Sequence, residues 1–249
     1  MSNTPKPSLA APVAIWALYA GLTAAANYLW ARGNAAAGEV VFFGGAITLV
    51  GLAAPLYLAS RRKLDLPLWP AAPAWDGALG VLAVVFLFSR VELLTAIFRE
   101  GRPWSVAAVT FLKAAPVNLA TAVATFGVLL PALKRRMPTA TAAVLAAVAF
   151  ALAHLGQYRL MPGAVTISGQ LILLAFGVGY ALYYVWSRSL LLAAFLYQLI
   201  MVTAAVYRRD AFGAAWGGAA WAAVAAAGVF LVLALVYRRR FGASRYSHF

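Results

Sequence analysis

Four residues of a kind that can do chemistry lie inside long apolar runs of this sequence: Arg90, Glu92, Lys113 and His154. A charge in hydrocarbon is costly, so each ionisable group within such a run is a functional candidate with a partner to be found. A carboxylate and an imidazole placed around one water can take its proton and so activate it for hydrolysis. His154 and Glu92 are therefore the candidate catalytic residues. A second reading pairs Glu92 with Lys113 as an intramembrane ion pair, with Arg90 nearby or extended along its helix toward water. At 1.5 Å per helical residue, Glu92 lies about 9 Å and Lys113 about 13 Å below the same surface. His154 also has a plain alternative, a packing residue held by hydrogen bonds.

Other chemistries find no footing. A zinc site generally needs at least three protein ligands, and one buried histidine with one buried glutamate falls short. His248 belongs to the tail, and the chain has no cysteine. The sequence holds no GxSxG elbow, P-loop or dinucleotide fingerprint. No metal and no cofactor is expected. Asn27, Asn118, Gln157, Gln170 and Gln198 lie in or near the apolar runs, where hydrogen bonds between helices account for most amides.

The elements that must position these groups follow from composition. A 65% hydrophobic, 10% charged chain of 249 residues has too little polar surface for a soluble domain. A bilayer core needs about 20 apolar residues in a helix. Eight such runs are legible, near 9–30, 39–60, 77–98, 104–133, 138–156, 163–186, 189–207 and 211–237. The expected fold is all-α, a polytopic transmembrane bundle of about eight spans. It forms a single membrane domain over 1–249, with short tails near 1–8 and 238–249. The first run is too long for a signal-peptide core and is read as a span. The fourth contains Pro116 and Pro131, which predict a tilt, a kink or an interfacial first turn. In the last, Ala214, Gly218, Ala222 and Ala226 recur every fourth position beside Gly213 and Gly217. This is a stripe for close helix approach, either within the chain or to another subunit.

The formal charge of +14 is carried by short loops with no room for a basic domain, so anionic lipid headgroups rather than nucleic acid are the expected partner. On the side of the termini lie Lys6, Arg61, Arg62, Lys63, Lys134, Arg135, Arg136, Arg188, Arg238, Arg239, Arg240 and Arg245. The opposite side holds Arg32, Arg99, Arg102, Arg159, Arg208 and Arg209. Cytoplasmic loops are enriched in Lys and Arg, so both termini are expected in the cytoplasm. Trp30, Trp69, Trp75, Trp104 and Trp186 fall near predicted span ends, as interfacial aromatic residues do.

Between Thr121 and Met201 the sequence resembles the CAAX protease and bacteriocin-processing (CPBP) group of intramembrane proteases. The matching parts are the stretch from Gly127 to Arg136, Phe150 and His154 spaced as FxxxH, and the glycine-rich run from Gly177 to Tyr183 with its turn at Trp186 to Leu190. The resemblance implies an eight-span bundle in a bacterial cytoplasmic membrane. It also implies a hydrolytic centre of paired glutamates, a following arginine, the FxxxH histidine and a last HxxxN element. Here Thr121 and Ala122 stand at the glutamates, Thr125 and Phe126 precede Gly127 where phenylalanine and arginine would, and Tyr197 and Met201 replace the last motif. Only His154 remains.

The expected function is that of a catalytically degenerate relative, a pseudoenzyme whose former cavity is repurposed or packed shut. It would serve as a binding or structural subunit of a membrane protein assembly. The alternative is an active intramembrane protease with a relocated base, Glu92 acting with His154. A transporter or lipid-handling protein is a third class, for which no internal sequence symmetry is found.

Overall fold

In the computed structural model, residues 9–61, 64, 66, 104–157, 165–207 and 218–241 are described. Among them every regular element is a helix. We label the continuous helices α1 (Ala10–Ala31), α2 (Ala35–Ser60), α3 (104–134), α4 (Thr139–Leu155), α5 (Ile167–Ser187), α6 (Leu190–Tyr207) and α7 (Gly218–Phe241). They account for seven of the eight predicted spans; the third, near 77–98, lies outside the described residues. α1, α2, α5 and the Phe111–Lys134 part of α3 are each long and apolar enough to cross a membrane. The chain is an integral membrane protein.

The helices start and stop where local chemistry says they should. The Asn34 side chain accepts from the Ala37 amide at the start of α2, and Thr166 accepts from the Gly169 amide at the start of α5, each satisfying an amide left unpaired at a helix N-terminus. Gly33, at φ 79°, makes the tight turn between α1 and α2. Both irregular stretches end at a proline. The backbone of α2 widens to π-helical turns over Val40–Ala53 and returns to α-helix beside Pro55; that of α3 widens over Val123–Leu129 and returns beside Pro131. Proline lacks the N–H for the i−4 bond and crowds that carbonyl, so a wider turn just before it relieves both defects. Pro116 sits within helical backbone, and the irregularity expected of this span falls in the stretch that ends at Pro131.

α3 is the central helix. Of its apolar window 89% is buried inside the protein, against 28% for α1, 39% for α2 and 33% for α5. It packs against α1, α2, α4, α6 and α7, while α1 with α2 and α4 with α5 form the two most extensive pairs. Small residues make these approaches possible. A Cβ on Gly177 would come within 2.9 Å of the Ala147 Cα, one on Gly156 within 3.0 Å of the Ala24 amide nitrogen, and one on Gly51 within 3.3 Å of the Ala120 Cα. Without a hydrophobic driving force between helices in lipid, such backbone proximity is what van der Waals packing needs. The outward surface carries Leu18, Leu49, Ile167, Leu171, Val229 and Val232, apolar side chains suited to acyl chains.

The small-residue stripe of the last span is placed differently from these seams. Gly218 and Ala222 are exposed and Ala226 half-buried, and among the described residues a Cβ on Gly218 would meet nothing within 4 Å. Packing of α7 within the chain falls instead on Ala220, Ala223, Ala227 and Phe230. Gly213, Ala214 and Gly217 lie outside the described residues.

Candidate functional site

His154 stands on the last turn of α4, fully buried. Its Nδ1 is 2.7 Å from the Phe150 carbonyl oxygen one turn back, and its Nε2 is 2.7 Å from the phenol oxygen of Tyr197 on α6. A carbonyl only accepts, so Nδ1 carries the ring proton, and in the neutral imidazole the Nε2 lone pair accepts from the Tyr197 hydroxyl. Both ring nitrogens are committed.

Aromatic rings from four helices close around this pair. Phe150 lies 4.4 Å from the imidazole, centroid to centroid, and 5.7 Å from both Phe126 of α3 and Tyr180 of α5; Tyr180 lies 5.3 Å from Tyr197. These are ordinary aromatic packing distances. The rings fill the space next to His154. Grooves of about 290 Å³ between α4 and α5, near Val148 and Leu171, and about 500 Å³ between α1 and α2, near Val40 and Gly44, open elsewhere on the bundle. His154 lines neither of them.

One turn along α3, the positions that correspond to the paired glutamates are equally closed. Thr121 donates its hydroxyl to the Val117 carbonyl at 2.8 Å, so the Tyr19 hydroxyl, 2.6 Å away on α1, is the donor in their mutual bond. Ala122 is buried with only a methyl group to offer. Phe126, at the arginine position, stacks on Phe150. The neighbouring hydroxyl, Thr125 Oγ1, is buried without a hydrogen-bond partner among the described residues.

A second polar cluster joins α3 to α6. The Asn118 amide donates to Gln198 Oε1, and Gln198 Nε2 donates to the Phe111 carbonyl. This is the bonding between helices expected of amides in spans. Asn27 instead donates to the Thr23 carbonyl within α1 at 2.9 Å. Lys113 is buried on α3, its Nζ 5.6 Å from the ring centroid of Trp221 on α7, within cation–π range. Arg90 and Glu92, the other members of the expected ion pair, lie outside the described residues, as does any contact of Glu92 with His154. Among the described residues no three His, Asp or Glu side chains gather as a metal site would require.

The comparison with protein families meets this geometry directly. Residues 103–203 match the family model of type II CAAX prenyl endopeptidase Rce1-like proteins. That segment is Rce1-like. It runs from the start of α3 almost to the end of α6, so it contains Thr121, Ala122, Phe126, His154, Tyr180 and Tyr197. It agrees with the CPBP resemblance. No curated protein and no solved structure matches the chain.

Sequence reasoning singled out His154 but missed the tyrosines around it. Tyr197 was legible as the residue at the last motif's histidine position. Tyr19 carried no signal beyond a hydroxyl in the first span, because nothing in sequence places α1 beside the middle of α3.

Proposed function

We propose that this protein is a catalytically degenerate relative of the Rce1-like endopeptidases that uses its helix bundle as a binding or structural subunit of a membrane protein assembly. The observation that supports this most directly is the state of His154. Water activation requires a base with a free lone pair within hydrogen-bond reach of a water. The Nδ1 of His154 is protonated toward Phe150, its Nε2 is taken by Tyr197, and packed rings surround it. Thr121, bonded to Tyr19, and Ala122 supply no carboxylate. A bundle that keeps this architecture without its water-activating acids retains what binding needs, a rigid set of helices with exposed faces such as Gly218 and Ala222 on α7.

The test is purification of the full chain from its native membrane in mild detergent, with identification of co-purifying chains. A stoichiometric membrane companion, retained by His154→Ala and lost when Gly218 or Ala222 is replaced by leucine, is the expected result. A solitary chain that cleaves a prenylated peptide, with cleavage abolished by Glu92→Gln, overturns the reading in favour of a relocated base.

A further inference from the structure

The turns at one end of the bundle gather cations. α1 and α2 are antiparallel, so Arg61 lies at the end where α1 begins; Gly156 meets Ala24 in the second half of α1, so α4 begins at that same end. The α3–α4 turn carries Lys134, Arg135 and Arg136, all exposed. α4 and α5 are antiparallel and meet at Ala147 and Gly177. Equal rise along both helices from that contact brings Arg136 level with Arg188.

Arg188 is the one described non-glycine residue with positive φ, at 50°. It ends α5 in a left-handed turn, its amide bonded to the Tyr184 carbonyl at 2.8 Å, and is exposed between Ser187 and Ser189, both fully buried. The last turn of α5 also holds Trp186, 47% exposed and 5.8 Å from Tyr183. An amphipathic ring so placed suits the headgroup level.

We propose that the corner formed by the α3–α4 turn and the α5–α6 turn is a binding site for an anionic phospholipid. Lys134, Arg135, Arg136 and Arg188 contact its phosphate, and Trp186 packs beside its glycerol region. The bilayer itself supplies the occupant. Guanidinium groups bind phosphate oxygens through paired N–H donors, and four cations from two turns exceed what one zwitterionic headgroup neutralises.

The full chain in detergent, exposed to mixed micelles of zwitterionic and anionic phospholipid, should retain the anionic lipid above its bulk fraction when the bound lipids are weighed by native mass spectrometry. Arg136→Gln with Arg188→Asn, the asparagine chosen because it tolerates positive φ, should lower that enrichment by about fivefold for each cation removed. Arg32→Gln at the opposite end should leave it unchanged. Arg136→Gln alone, on an exposed turn, guards against a folding defect in the double variant. Inorganic phosphate added at equal phosphate concentration should not displace the lipid. Equal enrichment in wild type and variants, or none in wild type, overturns the proposal, as does displacement by inorganic phosphate.

Discussion

At the scale of single residues, the centre of this protein is defined by hydrogen-bond capacity. Tyr197 donates to an imidazole nitrogen buried away from water. Tyr197→Phe keeps the ring packing but leaves Nε2 unsatisfied, which should cost ~1–3 kcal/mol and lower the thermal midpoint of the detergent-solubilised protein. An unchanged midpoint would mean that the bond contributes nothing and that Nε2 finds another donor. The same logic applies to Ala122, at a glutamate position but only 1% exposed. Ala122→Glu places a carboxylate among apolar side chains, and several kcal/mol of stability should be lost. Normal folding of that variant with gain of peptide hydrolysis would show the pocket to be wet.

Helix approach distances set the energetics at the scale of elements. Gly177 faces the Ala147 backbone rather than a movable side chain, so even Gly177→Ala must push α4 and α5 apart. A loss of ~1–3 kcal/mol is expected, read from the thermal midpoint. On α7 the two stripes should behave oppositely. Ala223 is buried, and Ala223→Leu overpacks the contact with the bundle at a similar cost. Gly218 has open space where its Cβ would be, so Gly218→Leu should leave the folded chain within ~0.5 kcal/mol of wild type. If Gly218→Leu unfolds the isolated chain, that face packs internally and is no assembly surface.

For the molecule as a whole, the central position of α3 joins the two clusters. It carries Asn118, Thr121 and Phe126 toward α6, α1 and α4 respectively. The side chains around His154 form the packing core of the segment that matches the Rce1-like family model. His154→Ala is accordingly expected to weaken the bundle while leaving a companion subunit bound. The measurements are the thermal midpoint and the yield of the co-purified chain at a temperature where both variants are folded. Loss of the companion at that temperature would tie binding to the imidazole itself.

The sequence alone determined the membrane class and the course of most of the chain, because a bilayer demands long uninterrupted apolar helices and ends them at charges, glycines and prolines. The limits of α1, α3, α4 and α6 could be read in this way to within a residue or so. His154 was legible too, since one imidazole in an apolar run stands out against its surroundings. The occupants of the space around it were decided by tertiary structure. That Tyr19 reaches Thr121 and Tyr197 reaches His154 depends on which helices are neighbours and in what register. The buried face of α7 at Ala220, Ala223 and Ala227 depends on the same arrangement. In lipid, hydrophobicity hardly distinguishes one face of an apolar helix from another, so packing and a few hydrogen bonds choose the partners.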